Sequence, residues 1–506
     1  MRTNALKRPS VKKTGPRAWA AIAVALMASG CSLAPKYERA APPVSASFPV
    51  GGVYETQPAA NDPVRSAQGL AAPDIGWTDF FADPRLKRLI KLGLSNNRDL
   101  RVTVLQMEEA RAQYRIERAN LLPSVALEGD GTRSRTPANL SPSRTALVSS
   151  QYQVGPTASW ELDFFGKIRN LSEQALQTYF ATAQARKAAQ IALVSSIADQ
   201  YLTMVAYDEM LQTTKDTLDA TTNSYRITKA QFDAGTGSEL DLREAQGAMQ
   251  QAQANYESQK RSRAQAENAL VLLVGAPLPN DLPPGLPLAD QKLLVDVPAG
   301  LPSELLERRP DIMEAEATLK GANANIGAAR AAFFPSISLT GNAGYASVSL
   351  GTLFKPGQLA WSFGPTISIP IFQGGQNEAN LDLAKLEKNV AIAQYEKAIQ
   401  TAFREVADGL AARGTYDRQI EDLQGNVQSQ QRRYDLSNLR YQNGVDNYLT
   451  VLTAQEDLYT AQQALISASL ARQTNLVDLY QYLGGGWIEV TGDRPAPADA
   501  KQGRSE

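Results

Sequence analysis

Two periods of hydrophobicity run along this chain, and each predicts a different element. Over Gln151–Phe164, apolar Tyr152, Val154, Pro156, Ala158, Trp160, Leu162 and Phe164 alternate with Gln151, Gln153, Gly155, Thr157, Ser159, Glu161 and Asp163. Over Ala360–Ile371, Trp361, Phe363, Pro365, Ile367, Ile369 and Ile371 alternate with Ser362, Gly364, Thr366, Ser368 and Pro370. Shorter runs beginning at Ser124 (Val125, Leu127) and Ser336 (Ile337, Leu339) share that period. A period of two predicts strands with one apolar and one polar face. Ten or more alternating residues with aromatics near the ends is the pattern of a membrane barrel strand, although a half-buried soluble sheet gives the same alternation.

The second period is seven residues. Ile197, Met204, Leu211, Leu218, Tyr225 and Phe232 follow it, as do Leu242, Met249 and Tyr256, then Ile392, Ile399 and Val406, and Val451, Leu458 and Leu465. Such spacing predicts coiled-coil seams. From Gly166 to Phe232 about 65 residues pass without proline, enough for about 100 Å of helix. Alanines crowd it (Ala181, Ala183, Ala185, Ala188, Ala189, Ala192) and permit close packing.

The elements recur in order. Arg118–Leu127 (RANLLPSVAL) matches Arg330–Leu339 (RAAFFPSISL), and Gly155-Pro156 matches Gly364-Pro365 at an offset of 209. The stretch from Phe232 to Gln246 matches Tyr441 to Gln455, and Leu270…Gly275 matches Leu479…Gly484, both again at 209. The chain is therefore a duplicated unit. The expected organisation is a leader over 1–30, an extended segment over 31–84, a first repeat over 85–274, a Pro-rich connector over 275–302, a second repeat over 303–484 and a tail over 485–506. Each repeat should hold a moderate helix (about 85–121; about 303–333) that ends at Leu122-Pro123 or Phe334-Pro335, because proline disfavours helix in the residue before it. Two strands (about 124–133 and 150–164; about 336–347 and 360–371) and a long helical hairpin then follow.

Composition narrows the chemistry. The 506 residues include no histidine and one cysteine, Cys31, which removes His general bases, Cys–His pairs and His/Cys zinc sites. No phosphate loop or Gly-x-Ser-x-Gly elbow is present, so no catalytic residue, metal ligand or non-covalent cofactor is assigned and the chain is read as a non-enzyme. Residues 1–30 hold Arg2, Lys7, Arg8, Lys12, Lys13 and Arg17 and no acid; the remainder carries 45 basic against 52 acidic side chains, a poor balance for nucleic-acid binding. The basic stretch, the apolar run Ala18–Met27 and the small residues Ala28-Ser29-Gly30 fit an export signal. The run is too short to span a bilayer as a helix. Cys31 directly after Ser29-Gly30 resembles a lipoprotein processing site, with S-diacylglycerol and N-palmitoyl groups on Cys31 as the expected covalent lipid. Ser32 rather than Asp after it implies sorting to the outer membrane of a Gram-negative cell.

Four strands cannot close a membrane barrel, since those known need at least eight, and an open edge in lipid strands backbone groups at several kcal/mol each. Several chains must then share one barrel. Two copies would give eight strands and three would give twelve, and the count alone does not choose.

Over about 33–484 the chain resembles the TolC family, in its lipidated, OprM-like branch. The most specific stretches are Leu301–Ile312 (LPSELLERRPDI), Ala332–Ile337 (AFFPSI) and Tyr441–Leu449 (YQNGVDNYL) with Ala454-Gln455. The resemblance implies a homotrimer with a twelve-stranded outer-membrane barrel, a periplasmic α-helical coiled-coil tunnel and an equatorial belt. It implies a tripartite multidrug efflux pump, with a periplasmic membrane-fusion adaptor and an inner-membrane RND-type transporter as partners. It also implies a gate at the hairpin turns near Gly235 and Gly444, with Tyr441 hydrogen-bonded to Asp241. Relatives often carry an acidic ring where this chain has Thr453, so a cation-preferring constriction is expected from Asp241, Glu244 and Asp446 instead, with Leu449 as an apolar constriction. The rival reading is a structural coiled-coil outer-membrane lipoprotein without a transport role; it has no use for two membrane hairpins placed symmetrically in a duplication.

Overall fold

The computed structural model describes residues 32–54, 70–294 and 302–493. Cys31, the leader and the end of the tail lie outside the described residues. Short helix α1 (Trp77–Phe80) precedes α2 (Pro84–Asn96) and α3 (Arg98–Ala119). Strands β1 (Ser124–Thr136) and β2 (Leu147–Leu162) come next, then α4 (Lys167–Asp233) and α5 (Glu239–Val274). The second repeat runs α6 (Pro302–Arg308), α7 (Pro310–Ala331), β3 (Ser336–Ser347), β4 (Leu359–Ser368), α8 (Gln376–Gln442) and α9 (Tyr448–Tyr482). The chain forms two compact units, one from residues 1–40, 108–181 and 316–393, the other from 41–107, 182–315 and 394–506.

The moderate helix expected in each repeat is in fact two. In the first, Asn97 leaves the helical region (ψ 131°). Its amide nitrogen donates to the Leu273 carbonyl and its oxygen accepts from Leu100 N, so it closes α2 and caps α3. In the second, Pro310 forces the break after Arg308. The strands are shifted by two or three residues from expectation at several ends, and β4 stops at Ser368, short of Pro370, which has no N–H to give a ladder.

The strand-bearing unit holds one antiparallel sheet in the order β1-β2-β3-β4. Its register carries the sequence alternation across the whole sheet. Leu127 pairs with Pro156, Trp160 with Leu339, and Leu339 with Pro365. One face therefore holds Val125, Leu127, Trp160, Leu339, Tyr345, Trp361, Phe363 and Ile367, and the other holds Ser134 against Ser149 and Asn342 against Ser362, each pair hydrogen-bonded. The apolar face is bare: Leu127 is 78% exposed and Trp361 75%. Among the described residues, β1 and β4 each lack a neighbour on their outer side. Pro156 removes an N–H from central β2, and Gly155 and Gly344 meet there at a separation no Cβ allows; one added to Gly155 would lie 2.2 Å from the Ala343 carbonyl oxygen. Among the described residues no helix is long and apolar enough to cross a membrane.

Helices join this sheet through specific locks. Asp163 accepts from Ile168 N and Arg169 N and so caps α4. Trp160 Nε1 donates to the Leu121 carbonyl, and Phe165 stacks on Phe334 with centroids 4.7 Å apart. Residues 32–39 lie along α7 and the start of α4. Ser32 donates to Asn170, Asn323 to the Pro35 carbonyl, and Arg39 grips buried Glu316 with two nitrogens at 2.9 and 3.1 Å. Burial works to raise the Glu316 pKa, but Arg39, Lys320 and Tyr37 outweigh it and hold the carboxyl below its usual range.

The second unit has its densest core around α1 and α2. Trp77, Phe80, Phe81, Leu86, Leu89 and Ile90 are fully buried, each contributing about 1.5–3 kcal/mol. Phe80 stacks on Tyr480 at 4.0 Å, and the Tyr480 hydroxyl donates to the Ile75 carbonyl. The tail adds to it, since Trp77 N and Thr78 N donate to the Ile488 and Glu489 carbonyls. Buried Asp83 caps α2 and also accepts from Tyr201, Gln291 and Leu286 N, which draws α4 and the connector onto this core.

Another buried acid sits in α4. Burial, helped by Asp478, pushes the Asp199 carboxyl up to about 8. A carboxyl whose folded pKa is raised contributes its stability at low pH and loses it as pH rises through the folded value. The melting temperature of the detergent-solubilised protein should therefore fall between about pH 4 and about pH 8, the unfolded and folded values of this carboxyl, and level off above. Asp199→Asn should flatten that decline, and an unchanged slope would place its cause elsewhere.

Candidate gate at the helical hairpin tips

Each long hairpin turns through a glycine in the left-handed region, Gly235 (φ 75°) between α4 and α5 and Gly444 (φ 72°) between α8 and α9. These positions are repeat equivalents. Gly succeeds there because a Cβ would strain that backbone. In the first turn the Gln231 carbonyl accepts from Thr236 N and Gly237 N, and Ser238 caps α5 through Leu240 N. In the second, Asn447 caps α9 by accepting from Thr450 N and Thr450 Oγ1.

Among the described residues, only the second turn carries an ion pair across it. Arg440 Nε and its terminal nitrogen meet the two Asp446 oxygens at 2.6 and 2.9 Å. This paired hydrogen bond holds the Asp446 carboxyl below the usual carboxylate range. Asp446, one of the acids expected at a constriction, thus has the Arg440 guanidinium beside it in this chain. The repeat-equivalent positions in the first turn are Gln231 and Gly237, which cannot form such a pair.

Behind the turns lies a tyrosine-rich cluster. Ala245, Tyr448 and Val451 are buried, with Tyr225, Tyr434, Tyr441 and Leu452 packed against them. Burial raises the Tyr448 phenol, and Glu244 adds to that rise. Tyr441 leans on Tyr448 with ring centroids 5.4 Å apart. That packing delivers the Tyr441 hydroxyl to the last turn of α4, where it donates to Gln231 Oε1 at 3.4 Å. The expected Tyr441–Asp241 hydrogen bond is not formed. Asp241 and Glu244 are half-buried on the first turns of α5. Leu449 is 50% exposed, and Thr453 one turn on is exposed, with its hydroxyl donated to the Leu449 carbonyl.

The expected seam of α4 shifts as it nears the turn. Ile197 and Met204 are buried, but Leu211, Leu218 and Tyr225 are half-buried and Phe232 is 38% exposed. The buried positions there are Thr214, Thr221 and Thr228, themselves seven apart. Each threonine donates to the carbonyl four residues earlier, at 2.7, 3.0 and 3.0 Å. With the hydroxyl satisfied on its own helix, the methyl group is left as a small apolar knob. A polar residue type hides this seam from a hydrophobicity count; its seven-residue spacing was the available signal. Thr214 and Thr221 also line a cavity of ≈ 390 Å³ with Gln251, Asn255, Gln455 and Tyr459.

The family model for the outer membrane efflux protein matches residues 89–276 and 301–485, one segment on each repeat. The chain belongs to the outer membrane efflux protein family. It is 48% identical over 470 residues to the antibiotic efflux pump outer membrane protein ArpC of Pseudomonas putida, covering 92% of this chain and 95% of that one. The toluene efflux pump outer membrane protein TtgC, also of Pseudomonas putida, matches to the same extent. The open state of the MtrE outer membrane channel of Neisseria gonorrhoeae superposes with a TM-score of 0.80 at 42% identity, over 92% of this chain and all of that one. The fold is the family's: membrane barrel strands joined to long helical coiled coils in an internally duplicated chain.

The threonine seam makes a specific forecast. Thr228→Val keeps the shape and removes a hydroxyl already satisfied locally, so stability should change by less than about 1 kcal/mol. Thr228→Leu overfills a buried position and should cost about 1–3 kcal/mol. Equal melting temperatures for the two variants would show the site is not close-packed.

Proposed function

We propose that this protein is the outer-membrane exit duct of a tripartite efflux pump, working as a homotrimer. One observation carries the reading: the described residues of a single chain provide a four-stranded sheet with a bare apolar face and two unpaired edges. In lipid such edges are too costly to leave open. Pairing β1 of one copy with β4 of the next around a threefold axis gives twelve strands, within the range of membrane barrels. The polar face then lines the lumen. A periplasmic membrane-fusion adaptor and an inner-membrane RND-type transporter supply the other stages, and cargo choice rests with the transporter. The equal similarity to antibiotic and toluene efflux proteins fits a permissive duct.

Cys31 carries the lipid anchor in this reading. Its neighbour Ser32 is fastened to Asn170 on the first turn of α4, close to the sheet, which suits an acyl group at the membrane surface. The hairpin tips form the resting gate. Tyr441 ties the two hairpins through Gln231, a neutral bond of about 0.5–1.5 kcal/mol, weaker than the roughly 1.5–3 kcal/mol of a bond to a carboxylate. An adaptor that binds the open tip better needs little free energy to release it. Asp241 and Glu244 form the cation-preferring constriction, and Leu449 with Thr453 form its less charged neighbour.

Outer-membrane fractions should yield, in detergent, a trimer band that heat dissociates, and the trimer should conduct ions across planar bilayers. A monomer that is soluble without detergent and passes no ions would end this reading. Tyr441→Phe and Gln231→Leu should each raise single-channel conductance, whereas Asp241→Ala should leave the resting latch intact; unchanged conductance in the first two would remove the latch. Reversal potentials should show cation preference that falls in Asp241→Asn/Glu244→Gln, and an anion-preferring wild type would exclude the constriction.

A further inference from the structure

The loop end of the sheet has an unusual charge balance. Residues 131–151 and 343–361 hold Arg133, Arg135, Arg144 and Lys355 and not one Asp or Glu. The acids of these hairpins lie elsewhere. Glu128 and Asp130 pair with Gly155 and Gln153 on the polar face, and Glu161 lies at the helix end of β2.

Register decides which way the arginines face. Gly131 pairs with Tyr152, and a Cβ built on Gly131 would touch the Tyr152 ring at 3.1 Å; one built on Gly129 would approach the Val154 side chain. Odd-numbered residues of β1 therefore share the apolar face with Tyr152 and Val154. Pairing continues unbroken through Arg133↔Ser150 and Arg135↔Val148. Both arginines consequently leave the sheet on its apolar face. Both are exposed, and neither has an acidic partner among the described residues.

Their height on that face is also defined. Tyr152 and Trp160 mark the two ends of a nine-residue stretch of β2, and a tilted barrel strand needs about 9–11 residues to cross the hydrocarbon. Tyr345, the register partner of Val154, and Phe354 (ring centroids 5.6 Å apart) lie at the Tyr152 end, as an aromatic girdle should. Arg133 and Arg135 stand two and four residues beyond Tyr152's partner Gly131, about 7 and 13 Å further along the strand. That is headgroup depth. An isolated cation on the lipid face would be a cost within the hydrocarbon, but just outside the girdle it meets lipid phosphates.

We propose that Arg133 and Arg135 form a binding site for the phosphate groups of a phosphorylated glycolipid in the outer leaflet. This rests on the membrane orientation given above, with the loops 137–146 and 348–358 facing outward. Guanidinium groups bind phosphate bidentately and are weakly hydrated, so two of them on alternate residues of one strand suit a doubly phosphorylated headgroup. Each trimer carries three such sites. The bound glycolipid covers the loop end of β1 and of the barrel seam that β1 makes with the next copy.

The test uses the full-length trimer in detergent, titrated by native mass spectrometry with bisphosphorylated lipid A, monophosphorylated lipid A and phosphatidylethanolamine. Wild type should retain the bisphosphorylated form best, the monophosphorylated form several-fold less, and the zwitterionic lipid least. Arg133→Gln/Arg135→Gln should lose about tenfold in retention of the bisphosphorylated form while forming trimers and conducting ions as wild type does. Equal retention of lipid A by variant and wild type would overturn the site, as would wild-type binding that ignores phosphate number. Absence of trimers or conductance in the wild type would instead strike the channel reading on which the site depends.

Discussion

A β-sheet edge in lipid is the constraint on which the rest of the molecule turns. Among the described residues, four strands in the order β1-β2-β3-β4 satisfy every inner ladder and leave two outer ones open. The apolar side chains on one face are too exposed for a water-soluble unit of this size, with Leu127, Trp361 and Phe363 all above 60%, and large bare apolar patches mark membrane or partner contact. Assembly is therefore not an embellishment on a folded monomer. It supplies the hydrogen bonds that one copy lacks. The duplication explains how the sheet is reached economically, because each repeat contributes one hairpin and the two hairpins pair through β2 and β3.

The helices use polar chemistry to hold what hydrophobicity alone would hold too firmly. Near the core of α1 and α2, α4 buries Ile197, Ala198, Tyr201 and Leu202 completely. Toward the turn, the buried positions become threonines whose hydroxyls bond to their own helix. A threonine knob buries far less apolar area than leucine, and burial energy scales with that area. Local stability thus declines toward the tip, which suits the gate proposed there. The two turns are not equivalent despite the duplication. The second is stiffened by the ion pair of Arg440 and Asp446, while the first is held by hydrogen bonds to the Gln231 carbonyl and by the Ser238 cap.

Much of the fold was legible in the chain. A period of two located four strands, the Leu122-Pro123 and Phe334-Pro335 steps located where they begin, and the 209-residue offset paired the halves. The break at Arg309 carried the same proline signal in Pro310 and was passed over, whereas the break at Asn97 was not legible, since its amide is held by the Leu273 carbonyl, distant in the chain. At the tips, Gly235 and Gly444 were readable because left-handed backbone selects glycine. The partners of Tyr441 and Asp446 were not, because a side-chain hydrogen bond depends on rotamers and packing that spacing does not encode.

The sequence by itself determined element type, the symmetry of the two repeats and the need for further copies, because all three follow from periodicity and from counting backbone groups. Tertiary structure alone decided which polar groups meet. It gave Tyr441 to Gln231 rather than Asp241, paired Asp446 with Arg440, and set the register that turns Arg133 and Arg135 to the apolar face. Periodicity is a property of one strand or helix, whereas a contact belongs to two, and only packing brings the second into place.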